Sequence, residues 1–283
     1  MVNYLIIGQG SIGKEVTKQI SRHHHVVGLS RTTKCYDGVM NAVHWQMDAL
    51  DLKPTDLQDF THIAVIVTPS AITDRVKAYQ DSYLAICQHL AGMSGALVNL
   101  RRILFVSSTS VYSEQSGELV DEHTMPNPLS PTAKVLLEAE NAIVHAFTDQ
   151  AVIVRPSGIY GIDRLRMIRS AQSAHDEGVP RCHHTNRIMD TDLVAVLVHI
   201  LLCDVPKPLY LATDHCPASS YDVLRYLCGK MQILPPKVID EPVSGKQIIS
   251  NLPKDWLEFD DYQKGYAFIL QKLNLIGFDD VHG

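Results

Sequence analysis

Apolar and polar positions along this chain alternate between two rhythms. Near the N-terminus an apolar run, Tyr4-Leu5-Ile6-Ile7, breaks at Gly8. The segment from Ser11 to Arg22 then places Ile12, Val16 and Ile20 four residues apart. The run reads as a buried strand and the spacing as one stripe of a helix. Further strands are predicted at 25–29 (HVVGL), 43–47, 61–68 (THIAVIVT), 102–106 (RILFV) and 151–154 (AVIV). Helices are predicted from Ser70 to about Ala91 and from Pro131 to Phe147. Strands and helices in this alternation give an α/β fold, a Rossmann-type doubly wound parallel sheet. Right-handed crossovers then bring every strand's C-terminal end to one rim, where ligands bind.

Beyond Arg155 the rhythm loosens. A turn-rich stretch at 155–161 precedes predicted helices at 165–177, 192–202, from Ser219 or Ser220 to about Met231, and 260–273, with a strand at 208–212. The Pro-rich stretch 234–251 reads as irregular. The organisation this suggests is a dinucleotide-binding domain over 1–155, with parts of 186–212 returning to it, and a small C-terminal substrate-binding cap over 156–283, with substrate between the two.

The glycines after the first strand complete G-x-G-x-x-G as Gly8, Gly10 and Gly13, in the strand–turn–helix context that the dinucleotide fingerprint requires. Gly8 permits the tight turn, Gly10 lets backbone approach a pyrophosphate, and Gly13 lets helix and strand pack closely. Ser11 and Ile12 open the helix whose N-terminus faces the phosphates. The second strand ends at Ser30, twenty-two positions after Gly8, followed by Arg31 and Thr32. An Asp or Glu there would bind the ribose 2′-hydroxyl of NAD, whereas a guanidinium with neighbouring hydroxyls attracts a 2′-phosphate. The expected cofactor is therefore NADP, with NAD as the alternative. Asp48 at the third strand's end, Thr68 and Pro69 at the fourth and Ser107 at the fifth complete the candidate cofactor-binding positions. Asp48 serves equally well as a turn residue.

The 283 residues, 46% hydrophobic and 20% charged with a net charge of −6, describe an ordinary globular enzyme and argue against a nucleic-acid surface. No run approaches the roughly 18 apolar residues of a membrane span. The N-terminus has no basic n-region, and six cysteines lie scattered without C-x-x-C spacing, so a cytoplasmic protein with reduced thiols is expected.

After the strand at 102–106 come Ser107-Ser108-Thr109-Ser110-Val111-Tyr112, then a Pro-rich loop, then Ser130-Pro131-Thr132-Ala133-Lys134 opening a helix. With GQGSIG at 8–13, RPSGIYG at 155–161 and NRIMDTDL at 186–193, the chain resembles the extended short-chain dehydrogenase/reductases, the NAD(P)-dependent sugar epimerase/dehydratase family. The resemblance implies that Ser108 holds the substrate oxygen. It also implies a Tyr-x-x-x-Lys pair, in which Tyr is the general acid/base and Lys binds the nicotinamide ribose and lowers the Tyr pKa. Lys134 matches the Lys, but Ser130 stands where the Tyr belongs. A serine hydroxyl has no ionisation near neutrality, so it does not inherit the role.

Two functions follow. One is an oxidoreductase or epimerase acting on a carbonyl or carbinol carbon of a polar small molecule such as a sugar nucleotide, with Tyr112, Tyr160, a water or a substrate group supplying the acid. The other is a catalytically weak NADP-binding sensor or regulatory partner-binding protein. Arg155, Tyr160 and Arg187 resemble family positions near substrate, although an interdomain ion pair explains Arg187 equally well. A homodimer is usual for such folds. Asp192 reads as a helix cap, and Glu138 and Glu140 as a solvated helix face. His23-His24-His25 and Cys182-His183-His184 lack zinc-site spacing, so no metal is expected.

Overall fold

The computed structural model describes residues 3–36, 38–69 and 72–275. Seven strands form one sheet, in the order Leu209–Ala212, Ala151–Pro156, Arg102–Val106, His62–Val65, Asn3–Ile7, His25–Ser30, Ala42–Gln46. From Ala151–Pro156 to Ala42–Gln46 every neighbouring pair is parallel. The order reverses at Asn3–Ile7, which pairs with His25–Ser30 on one side and His62–Val65 on the other. That reversal is the switch point at which a doubly wound sheet opens a crevice, and Gly8 sits at its lip. Leu5, Ile6, Ile63, Val65, Ile103, Leu104 and Phe105 are fully buried, as strands covered on both faces require.

The chain divides into two compact units: Met1–Ser113 with Met125–Arg155 and Val194–Tyr210, and Glu114–Thr124 with Pro156–Leu193 and Leu211–Gly283. In the first unit the helix after the glycines runs Ser11–Ile20 and buries Gly13, Val16, Thr17 and Ile20. The long helix spans Pro131–Phe147, with Ser130 as its cap and proline in its first turn. The helix predicted from Ser70, a residue outside the described ones, instead starts at Arg75, where the Asp74 carboxylate accepts from the Lys77 amide. Its middle, Gln80–Leu84, is wound as a π-helix before the α-helix resumes at Ala85–Gly92.

The second unit is built on helices Arg166–Glu177, Ser220–Met231 and Tyr262–Lys272, which share a core of Ile168, Val223, Leu227, Ile269 and Leu270. It also holds a four-stranded sheet in the order Ala218–Ser219, His183–Thr185, Ser244–Ile248, Ser116–Val120. This corrects the irregular reading of 234–251. The strand Ser244–Ile248 (SGKQI) has no apolar run, and its extended form comes from pairing with the equally polar Ser116–Val120. Among the described residues no helix is long and apolar enough to cross a membrane.

Candidate dinucleotide site

Gly8 adopts a φ of +97°, a left-handed value, and a Cβ there would fall onto the Ile66 carbonyl. A Cβ at Gly13 would fall onto the Gly8 carbonyl, so the turn lies flat against the adjacent strand end and the helix lies against the turn. Gly10 differs, because a Cβ there would meet nothing within 4 Å. It faces open space and is the N-cap of Ser11–Ile20, a helix with no side-chain cap and no acidic residue in its first turn. No carboxylate within its own first turn offsets the positive end of that helix, which suits an anion site.

A cavity of about 430 Å³ opens in front of this loop, within the first unit. It brings together seven of the expected cofactor positions: Gly8, Gly10, Ser30, Arg31, Thr32, Asp48 and Thr68. Ser11, Ile12 and Gly13 form the first helical turn behind it, and Pro69 follows Thr68 outside the lining. Asp48 does two things, lining the cavity while its carboxylate accepts from the Leu50 amide at 3.0 Å. Lys34 also lines the cavity, four residues after Ser30, and adds a second cation that the motif does not specify. Asp81 and Ser82 reach it from the π-helical turn, for which the local sequence carries no signal.

The other group of expected site residues lies elsewhere in the first unit. Ser107 is buried at the end of Arg102–Val106, and its Oγ has no hydrogen-bond partner among the described residues. Ser108 caps the short turn Thr109–Val111, its Oγ accepting from the Ser110 amide at 3.1 Å. Lys134 is exposed on the Pro131–Phe147 helix, and Ser130 Oγ accepts from the Ala133 amide at 3.2 Å. None of these lines the cavity.

Three expected positions are bonded together here. Glu140 does not lie on a solvated face: it is buried at 2% exposure and paired with Arg155. Arg155 is buried with it and donates to both Glu140 oxygens and to the Tyr112 hydroxyl. Tyr112, at 2% exposure with Arg155 5.0 Å over its ring, packs in the same place instead of presenting a phenol.

The second unit holds the remaining candidates. Tyr160 is buried, its ring 4.7 Å from that of Tyr266 and its hydroxyl against Gly265, without a hydrogen-bond partner among the described residues. Burial pushes its phenol far above the ordinary tyrosine range. Arg187 is buried too: Nη2 donates to the Thr185 carbonyl and hydroxyl, and the guanidinium lies 5.3 Å over Tyr262. Near it, burial pushes the Asp214 carboxyl up to about 7 against the opposing pull of Arg187. Asp192 does not cap its own helix, which starts at Asp190. Its carboxylate accepts from the Glu258 and Phe259 amides, each at 3.0 Å. His183 Nδ1 lies 3.0 Å from Ser244 Oγ, and among the described residues no three His, Cys, Asp or Glu are grouped as metal ligands.

No protein-family model matches the chain. Protein YeeZ of Escherichia coli strain K12 is 27% identical over 225 residues, covering 77% of this chain and 79% of that protein. The UDP-glucuronic acid 4-epimerase of Bacillus cereus, solved in complex with NAD, shares the fold at 18% identity with a TM-score of 0.73, over 95% of this chain and 99% of that one. A Methylobacillus flagellatus protein provisionally named an NAD-dependent epimerase/dehydratase superposes with a TM-score of 0.75 at 30% identity, over 96% of this chain and 99% of its own. By its glycine turn at the switch point, its seven-stranded sheet and this likeness, the chain belongs to the NAD-dependent epimerase/dehydratase family.

Proposed function

We propose that the chain binds NADP(H) in the glycine-lined cavity and acts as an oxidoreductase or epimerase on a carbonyl or carbinol carbon of a polar small molecule of the sugar-nucleotide class. One observation carries this reading: the cavity joins open backbone at Gly10, and a helix end with no acidic residue in its first turn, to a rim bearing Arg31 and Lys34. Ser30 stands where a carboxylate would receive the 2′-hydroxyl of NAD, and two cations beside it favour a 2′-phosphate. The Bacillus cereus neighbour was solved with NAD, so the preference for NADP rests on Arg31 and Lys34 alone. The UDP-sugar in that neighbour's name supports the substrate class.

When bound, the dinucleotide supplies a hydride donor or acceptor at its nicotinamide. In this reading Ser108 orients the substrate oxygen, Lys134 holds the nicotinamide ribose, and the unpartnered Ser107 Oγ offers a polar contact at the strand end. We read Ser130 as occupying the family's tyrosine position, where its hydroxyl caps a helix. The proton is then exchanged with water or with a substrate group, because Tyr112 is bonded to Arg155 and Tyr160 is buried with a raised pKa.

The same features favour a second reading, an NADP-binding sensor with little turnover. NADPH fluorescence titration followed by a panel of UDP-sugars and polar carbonyl compounds separates the two. Turnover of any substrate supports the enzyme; saturable binding without turnover supports the sensor. Absence of binding removes both.

A further inference from the structure

Gln9 fills the first variable position of the glycine motif, and it is buried at 3% exposure. Its Nε2 donates to the Ile6 carbonyl at 2.9 Å and to Thr17 Oγ1 at 3.0 Å, which pins the phosphate loop to the strand before it and the helix after it. Its Oε1 accepts from the Tyr36 hydroxyl at 2.7 Å. Tyr36 ends the segment that begins at Arg31. Its ring is buried, whereas Arg31, Thr32 and Thr33 are exposed. The strand between leaves space for this pair: a Cβ at Gly28 would land on the Tyr36 hydroxyl and 2.8 Å from Gln9 Cδ.

The other flank of the segment is tied as well. Ser30 Oγ donates to the Thr32 carbonyl at 2.8 Å and lies 3.0 Å from His44 Nε2, while Thr33 Oγ1 donates to Gln46 Oε1 at 2.7 Å. Arg31 and Lys34 are therefore carried on a loop fastened at both edges, and its inner fastening runs to the glycine turn itself. We propose that the Gln9–Tyr36 hydrogen bond holds Arg31 and Lys34 in place for a 2′-phosphate, making Tyr36 a positioning residue for NADP over NAD. This rests on the dinucleotide reading above. A preformed loop spares the ligand the entropy of ordering the backbone that carries the two cations. NAD lacks the 2′-phosphate, so its affinity depends on the glycine turn and much less on that loop.

Tyr36→Phe keeps the buried ring and removes only the hydroxyl. It is expected to raise the NADP dissociation constant about fivefold, the scale of one net hydrogen bond, and to leave that for NAD within about twofold. Gly28→Ala, which pushes the pair apart from the strand, is expected to shift the NADP-to-NAD ratio in the same direction. Amides of residues 32–35 are expected to exchange hydrogen faster in Tyr36→Phe. An unchanged ratio, or equal weakening of both dinucleotides as general destabilisation would give, overturns the positioning role. If the unmodified protein binds neither dinucleotide, the cavity reading itself fails; if it binds both and the ratio does not move, only the Tyr36 role fails.

Discussion

Arg155 holds Glu140 through two nitrogens, Nε at 3.0 Å and Nη2 at 2.5 Å from the two carboxylate oxygens, and its third, Nη1, donates to the Tyr112 hydroxyl at 2.6 Å. This buried group ties three segments that are distant in sequence: the Pro131–Phe147 helix carrying Lys134, the end of Ala151–Pro156, and the turn after Ser108. Removing one partner of a buried pair leaves the other charged and uncompensated. Glu140→Ala is expected to cost about 3–5 kcal/mol of unfolding free energy. Replacing both partners with apolar residues of similar volume, as in Glu140→Leu with Arg155→Met, is expected to cost less than the single change. Urea denaturation measures both, and a Glu140→Ala loss below about 1 kcal/mol would mean that the pair does not form.

The cationic rim gives a direct exchange of cofactor preference. Arg31→Asp places a carboxylate where a 2′-phosphate would lie, and a lost charge-assisted bond of about 1.5–3 kcal/mol weakens NADP roughly ten- to a hundredfold. NAD binding is expected to hold or improve. Competitive titration of the two dinucleotides reads this, and an unchanged preference removes Arg31 from the site.

Lys134 and Ser108 carry the proposed chemistry without supporting the core, since Lys134 is exposed and Ser108 caps only a short turn. Lys134→Ala is expected to weaken NADP binding, and Ser108→Ala to slow turnover, with the melting temperature of each close to that of the unmodified protein. An unaltered NADP constant in Lys134→Ala would place the nicotinamide ribose elsewhere.

Two buried groups impose opposite pH dependences on stability. Burial pushes the Asp214 carboxyl up to about 7, so from about pH 4 to about 7 the native state keeps a proton that the unfolded chain has lost, and stability falls as pH rises. Burial, reinforced by the charges of Arg102, Arg101 and His24, lowers the His62 imidazole to about 4. Between about 4 and 6.5 the unfolded state holds the extra proton there, so stability rises with pH. Asp214→Asn is expected to lose less stability between mildly acidic and neutral pH than the unmodified protein, and His62→Gln to gain less. Denaturation curves at the two pH values check each variant, and identical slopes in all three proteins would contradict both assignments.

Much of the first unit was legible because its signals are local. The strand Arg102–Val106 and the helix Pro131–Phe147 appear with the predicted bounds, since one is a short apolar run and the other has a serine cap and proline start. Glu140 was misread for the opposite reason. Its position falls on the buried stripe of Leu136, Ile143 and Phe147, but its charge argues for solvent, and only Arg155, fifteen residues on and in a strand, makes burial affordable to a carboxylate. The pairing of Ser116–Val120 with Ser244–Ile248 was hidden in the same way, by polar composition and a long separation along the chain. At the cavity the glycines and Arg31 could be read from a motif. Lys34 and Asp81 could not, because the turn after the second strand and the π-helical turn bring them there, and nothing local pairs Tyr36 with Gln9.

Isothermal titration calorimetry of the purified protein with NADPH, NADP, NADH and NAD tests the central claim most directly. The expected result is saturable one-to-one binding, tighter for the phosphorylated pair, and abolished by Gly8→Val, whose side chain would occupy the space of the Ile66 carbonyl. Absence of heat with all four, or binding undiminished in Gly8→Val, would contradict it.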